Sequence, residues 1–565
     1  MPPVGSSLQP DATVASPYRW QDWVLAGIVA LLLFLHASLY AWQTPVGVPP
    51  DELAHLTYVQ EVAQDGARMP DYAGSRVLPW RLAPNYLQHP PLYYWVMGAV
   101  GKATGWDPLG EVAGFRLLSA AMVALGLLLW AMTARAMGLS WKWTLPLGLS
   151  VNAVPMFAYL AGSVNNDALC YLAVALAVFG LANLPRWPRL AWYLGGIGLA
   201  VAMLTKATGA LFLLALFVFW LAQETRLDPR APVLRNRHFQ QALALAMVPV
   251  VAYFAWAMLR FGSVFPHAGE AHPRVTLAAG EALGNARLAW EFVTQFCKLF
   301  TMVPSHASTI PLDPAWSKAL LLVFGLPVFA LCWSQLRRRR DARDARDWIV
   351  TAFLLALLAT LAVHFVMVVR AYHQYGAITG MHPRYYAYLL PGLAIMAGVR
   401  RSRFTRALLM LFCVAACALL LVVPYRTWQT EHAHHFPEGS IAFPTRALPG
   451  AAPAPVFAAR PGAGHVDSLV LVNDTLRGSG WAVDSASGKA AGRVRLYYGG
   501  VEIGSVEVDG LRPDVARVLG SPAAAPSGFS LQVTGVPFGV RPCDLGIAAE
   551  QADGGLVRLK APNCP

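Results

Sequence analysis

Read from its start, the chain alternates long apolar runs with short polar breaks. Runs of about 15–20 residues, near the length that crosses a bilayer as a helix, fall at 23–42, 116–134, 143–161, 167–183, 190–205, 208–222, 240–259, 317–335, 348–369, 385–399 and 406–424. They predict an α-helical polytopic protein with about eleven transmembrane helices, and the short pair flanking Lys206 is the least sharply delimited. Residues 1–22 form a polar tail with no basic segment before the first run, so that run reads as an uncleaved signal anchor.

After residue 424 the pattern changes. Residues 425–466, including "FPTRALPGAAPAPVFAARPGAG", are rich in Pro, Ala and Gly and read as a linker. Over 467–565 the segments "SLVLV", "GRVRLYYGG", "VEIGSVEVDG" and "GFSLQVTGV" predict strands, punctuated by Gly and Asp. A small β-domain, sandwich-like, follows from them. Trp481, Tyr497 and Tyr498 within it are either core or a platform for sugar, with core the commoner use of such rings.

Composition supports the membrane reading. Of 565 residues, 56% are hydrophobic and 13% charged, which excludes an ordinary soluble domain. The net charge of +13 does not call for nucleic acid. With the N-terminus inside, strict alternation places Arg135, Lys142, Arg186, Arg189, Arg226, Arg230, Arg235, Arg237, the run Arg337 to Arg340, and Arg400, Arg401, Arg403 and Arg406 on the cytoplasmic side. That is the distribution the positive-inside rule asks for. It leaves loops 43–115, 260–316 and 370–384, and the β-domain, outside the cytoplasm. There Cys543 and Cys564 are either a disulfide or two separate thiols. The other cysteines lie in or near apolar segments without zinc-site spacing.

The outer loop 43–115 is long enough to carry function. It opens on "PPDELAHLTYVQ", in which Pro50 can start a helix and Asp51 and Glu52 fall in its first turn. His55 lies four and three residues further on, so all three side chains can converge on one side. An ordinary acidic helix start explains the stretch equally well. "DELAH" also differs from the zinc-binding H-E-x-x-H pattern only in its first residue, but it begins a helix where the zinc motif sits inside one. Later in the loop, "QHPPLYYWVMGAV" carries His89 and the aromatics Tyr93, Tyr94 and Trp95, which read as anchors of short helices lying on the membrane surface.

Further polar groups gather at the same face. "GSVNNDALCY" places Asn166 and Asp167 at the outer end of the third run, as a polar turn or a functional one. "LTKATG" puts Lys206 there, as a snorkelling side chain or an anion ligand. "GMHPRYYAYLLPGLAI" adds His382 and Arg384, with Tyr385 and Tyr386 as candidate interfacial anchors, and Arg116 opens the second run. Arginine suits phosphate through paired donors. Together these acids, histidines and cations suggest a site for an anionic lipid and a proton transfer.

In their order, "PPDELAHLTYVQEVAQDGARMP", "QHPPLYYW", "RLLSAAMVALG", "SVNNDAL", "LTKATG" and "HPRYYAYLLPGLAI" resemble the multi-spanning GT-C glycosyltransferases over roughly residues 20–425. That superfamily includes the protein mannosyltransferases and the lipid A aminoarabinose transferases. The likeness is strongest to poorly characterised bacterial members whose first outer loop begins P-x-D-E-x-x-H. It implies a polyprenyl-phosphate-sugar donor reached from the membrane and a glycan, lipid or protein acceptor approaching from outside. It implies Asp51 as the catalytic acid residue, Asp167 with Asn166 positioning substrate or metal, and Lys206 and Arg384 at the lipid phosphate; Glu52, as a further catalytic acid, and His55, His89, Arg116 and His382, at the substrates, are added by their gathering at the same face. Some relatives use a divalent metal, for which Asp51, Glu52, His55 and Asp167 are the ligands to test. A glycolipid transporter, flippase or polymerase-like protein is the alternative, though no internal repeat supports a transporter.

Overall fold

A computed structural model describes residues 18–44, 51–64, 89–108, 110–151, 155–227, 233–265, 284–298, 345–375, 383–399, 463–472, 475–534 and 542–561, with short pieces at 49, 302–303, 310–311, 329, 333, 441–442, 457 and 536. The expected span at 317–335 apart from residues 329 and 333, the span at 406–424, nearly all of the linker, His382 and Cys564 lie outside the described residues.

The helices follow the apolar runs. They are α1 (Trp20–Gln43), α2 (Glu52–Gln64), α3 (Leu92–Thr104), α4 (Val112–Ala136), α5 (Trp141–Val151), α6 (Pro155–Ala161), α7 (Asp167–Ala182), α8 (Pro188–Met203), α9 (Ala207–Leu227), α10 (Arg237–Phe261), α11 (Asn285–Lys298), α12 (Ala345–Tyr375) and α13 (Leu390–Gly398). Among the described residues, five are long and apolar enough to cross a membrane: α1, α4, α9, α10 and α12. α7 is apolar but shorter.

One expected span takes another form in part. Run 385–399 begins as a 3-10 turn, Pro383–Leu389, before α13. Its tighter winding sets Arg384 and Tyr385 at the mouth of the bundle.

α7 packs between α4 and α8. Small residues allow the close approach, because apolar surface gains little by leaving lipid and backbone proximity must supply the contact. A Cβ on Gly198 of α8 would lie 2.6 Å from the Ala173 carbonyl oxygen and 2.7 Å from the Ala177 nitrogen of α7. We expect Gly198→Leu to lower the melting temperature of the detergent-solubilised protein, through overpacking worth roughly 1–3 kcal/mol. Gly27→Ala, whose Cβ meets nothing within 4 Å, should leave it unchanged. Equal melting of the two variants would contradict the glycine contact.

α2 and α3 pack on each other, with Leu56, Val59, Val62, Tyr93, Tyr94 and Met97 fully buried. The expectation that Tyr93 and Tyr94 anchor surface helices is therefore corrected. The Tyr93 hydroxyl meets Ser119 Oγ at 3.0 Å, and Tyr94 stacks on Tyr58 with ring centroids 3.8 Å apart. Tyr386 is likewise buried, its hydroxyl 2.6 Å from His364 Nδ1.

Outside the helices, β1 (Met302–Val303) and β2 (Ile310–Pro311) form a minimal ribbon. The C-terminal strands are β3 (Ile441–Ala442), β4 (Gly464–Val472), β5 (Thr475–Ala482), β6 (Arg493–Tyr498), β7 (Val501–Glu507), β8 (Gly528–Thr534), β9 (Leu545–Glu550) and β10 (Leu556–Arg558). They make two four-stranded sheets, ordered β10-β9-β6-β7 and β3-β8-β5-β4. Leu476, Phe529, Leu531 and Val533 of one sheet and Val494, Leu496, Ile547 and Ala549 of the other are buried. Tyr497 and Tyr498 are buried too, and Trp481 is half-buried, which makes the two tyrosines core residues. Cys543 is disulfide-bonded.

Candidate active site

Asp51 has φ +60°, and among the described residues it is the sole non-glycine in the left-handed region. Aspartate tolerates this conformation better than most residues, at a cost of about 1–3 kcal/mol. The sequence expectation put Asp51 inside the first turn. The structure starts α2 at Glu52 and leaves Asp51 just before it, with its carbonyl accepting from the His55 N–H at 3.0 Å. Asp51 and Glu52 thereby part company. The Asp51 carboxylate pairs with the Arg384 guanidinium. Glu52 turns into the protein.

Glu52 is fully buried and gripped from three sides. Arg116 donates to both of its oxygens, Nε to Oε1 at 2.8 Å and Nη2 to Oε2 at 2.6 Å. The Val164 N–H donates to Oε1 at 3.0 Å. Arg116 Nη1 also donates to the Ala41 and Thr44 carbonyls at 2.9 and 2.6 Å. One ion pair thus ties the end of α1, the start of α2, the start of α4 and the loop before α7. Glu52 and Arg116, expected among the site residues, form a fully buried ion pair.

A second acid–cation pair lies beside Asp51–Arg384. Lys206 Nζ is 2.6 Å from Asp167 Oδ1. Both cations face one ring: Lys206 Nζ is 5.1 Å and the Arg384 guanidinium carbon 5.7 Å from the centre of Tyr385. The side chains of Asp51, Arg384, Lys206 and Asp167 are 24%, 11%, 9% and 14% exposed, so the two pairs are sheltered but reachable.

The histidines complete the cluster. His55 Nδ1 is 2.8 Å from the Tyr94 hydroxyl, and the rings of His55 and His89 are 6.0 Å apart. Burial, and then the Lys206 charge, push the His89 pKa down to about 4 against the opposing pull of Asp51 and Asp167. Burial, then His89, hold His55 well below the usual histidine range. Both imidazoles are neutral at pH 7. His89 is placed by the loop behind it, where the Leu92 N–H donates to the Leu204 carbonyl at 3.0 Å. Asn166 Nδ2 donates to the Thr205 carbonyl at 3.3 Å, so Asn166 fixes the turn that presents Lys206.

Sequence reasoning undervalued Tyr385, Tyr94 and Asn165. A small cavity beside Asp167 is lined by Asn165, Tyr171 and Tyr388. Asn165 Oδ1 and the Tyr171 hydroxyl have no hydrogen-bond partner among the described residues. Buried groups of this kind normally hold a guest or water. The only sequence signal was the density of Asn and Tyr in otherwise apolar helix ends.

A divalent metal does not fit this donor set. Asp51, Glu52 and Asp167 are each matched to a cation, and among the described residues no three His, Cys, Asp or Glu side chains converge as ligands. What the arrangement offers is two cations able to exchange their carboxylates for a phosphate, beside carboxylates able to take a proton.

The family described as "Predicted membrane protein (DUF2142)" matches residues 72–396, more than half of the chain. The chain belongs to the DUF2142 family. The matched stretch carries His89, Arg116, Asn166, Asp167, Lys206 and Arg384, and it begins after the Asp51 helix. Among solved structures, the DUF2142 chain is similar to ArnT from Cupriavidus metallidurans bound to undecaprenyl phosphate. The identity is 18%, the TM-score 0.45, and the match covers 76% of this chain and 84% of that one. No curated protein matches it.

Proposed function

We propose that this DUF2142 protein is a membrane glycosyltransferase of the GT-C type. It moves a hexosyl or pentosyl group from a polyprenyl-phosphate donor to an acceptor hydroxyl at the periplasmic face of a bacterial inner membrane, in cell-envelope glycan assembly or modification. The observation that carries the reading is the double acid–cation cluster, Asp51–Arg384 and Asp167–Lys206, both cations over Tyr385. The order of the sequence motifs supports it independently.

The chemistry follows from the pairs. An incoming phosphate takes Arg384 and Lys206 from their carboxylates, because a charge-assisted bond to phosphate replaces the one it breaks. Asp51, relieved of its cation, becomes a stronger base. The acceptor oxygen forms a bond to the sugar's anomeric carbon, and its proton passes to the Asp51 carboxylate. The bond from that carbon to the phosphate oxygen breaks with its electron pair leaving on the phosphate. Arg384 and Lys206 stabilise that charge, so no general acid is required. Asp167 orients Lys206, and the neutral His55 and His89 line the site without competing for the phosphate.

The test is a deletion strain profiled for lipid-linked intermediates and envelope glycans. One polyprenyl-phosphate sugar should accumulate and one glycan should lose that sugar, both reversed by the wild-type gene. Unchanged profiles would refute the transferase reading, and intact transfer with blocked export of a glycolipid would favour transport.

A further inference from the structure

At the end of the bundle opposite the acid–cation cluster, α8, α9 and α10 line an open cleft. Every side chain that lines it is apolar, including Trp192, Phe217, Leu234, Phe239 and Ala246. Its floor is rigid: the Trp192 ring makes edge contacts with Trp220 and Phe239 at 5.6 and 5.1 Å. Gly196 lets α8 approach α10, where a Cβ would stand 2.7 Å from the Ala242 carbonyl oxygen. The lip is open, with Val218 and Leu234 more than half exposed.

The rim has the opposite character. Arg235 lies in the connection from α9 to α10, Arg237 opens α10, and the first turn of α8 carries Arg189, all exposed. Asn236 caps α10 by accepting from the His238 N–H at 2.9 Å, which fixes Arg235 and Arg237 next to the lining residues Leu234 and Phe239. Glu224, the acid at this end of α9, is buried. An apolar cleft between helices under a basic rim matches acyl chains joined to a negative headgroup.

We propose that this cleft is a binding site for an anionic glycerophospholipid, with its acyl chains between α8, α9 and α10 and its phosphate on Arg235 and Arg237. The site is separate from the transfer chemistry and does not depend on it.

The test uses the purified full-length protein, delipidated in detergent, with native mass spectrometry of bound phosphatidylglycerol and phosphatidylethanolamine carrying identical acyl chains. Phosphatidylglycerol should be retained about tenfold better or more, as two basic residues at a lipid headgroup imply. Arg235→Glu combined with Arg237→Glu should abolish that preference while leaving phosphatidylethanolamine retention unchanged. Ala246→Trp, which fills the cleft, should reduce both lipids. Where Ala246→Trp fails to fold, Val218→Trp at the exposed lip serves in its place. Equal retention of the two lipids by the wild type, or an unchanged preference in the charge-reversed protein, overturns the proposal. Displacement of phosphatidylglycerol by added polyprenyl phosphate also overturns it, by assigning the cleft to the donor.

Discussion

Asp51→Asn should reduce sugar transfer by orders of magnitude while the protein still inserts and folds. The substitution keeps the shape of the side chain and the left-handed backbone that Asn also tolerates, so the local structure survives. It removes the proton acceptor, and loss of a positioned base costs about 10²–10⁴-fold in turnover. It also removes the negative charge that holds Arg384, which leaves that cation more available to phosphate. The expected signature is therefore a split: turnover falls, while donor affinity holds or rises. Arg384→Gln should do the reverse to affinity and weaken donor binding. Release of polyprenyl phosphate in washed membranes, measured against donor concentration, separates the two. Full turnover in Asp51→Asn would remove Asp51 from the chemistry.

Arg116→Leu should prevent accumulation of the folded protein. Glu52 would then sit fully buried without its cation, and the Ala41 and Thr44 carbonyls would lose their donor. Breaking a buried pair from one side costs about 3–5 kcal/mol, a large share of a typical folding free energy. Removing both charges, in Glu52→Leu with Arg116→Leu, should recover part of the loss, because no buried charge remains. The yield of monodisperse protein after detergent extraction and its melting temperature report this. A normal yield of Arg116→Leu at unchanged melting temperature would show that the brace carries little. The prediction also separates two neighbours in sequence. Asp51 variants should fold and fail to react, whereas Arg116 variants should fail to fold.

Much of the helical layout was legible in the sequence. α1, α4 and α10 lie within a few residues of their apolar runs, because a run that long has no other way to satisfy its backbone inside a bilayer. The gathering of Asp51, His89, Asp167, Lys206 and Arg384 at one face was legible as well, since alternating spans deliver their connecting loops to alternate sides. Their pairing was not. Lys206 and Asp167 are 39 residues apart, Arg116 and Glu52 are 64, and Arg384 and Asp51 are 333. Spacing along a helix cannot report contacts at such separations.

The same limit misplaced the tyrosines. Tyr93 and Tyr94 have the composition of interfacial anchors, yet a layer formed by α2 and α3 covers them. Composition describes what a side chain tolerates, and burial depends on which element lies over it. By itself, then, the sequence determined a helical membrane protein, its C-terminal strands, and the face on which its polar groups collect. These follow from local periodicity and the bilayer's demand for internal hydrogen bonds. Only the tertiary structure decided that Glu52 is a brace, that Asp51 stands apart from it beside Arg384, and that Lys206 and Arg384 share one ring. Those outcomes rest on which distant charge reaches each carboxylate, and in a sheltered site that partner sets whether the group supports the fold or remains open to a ligand.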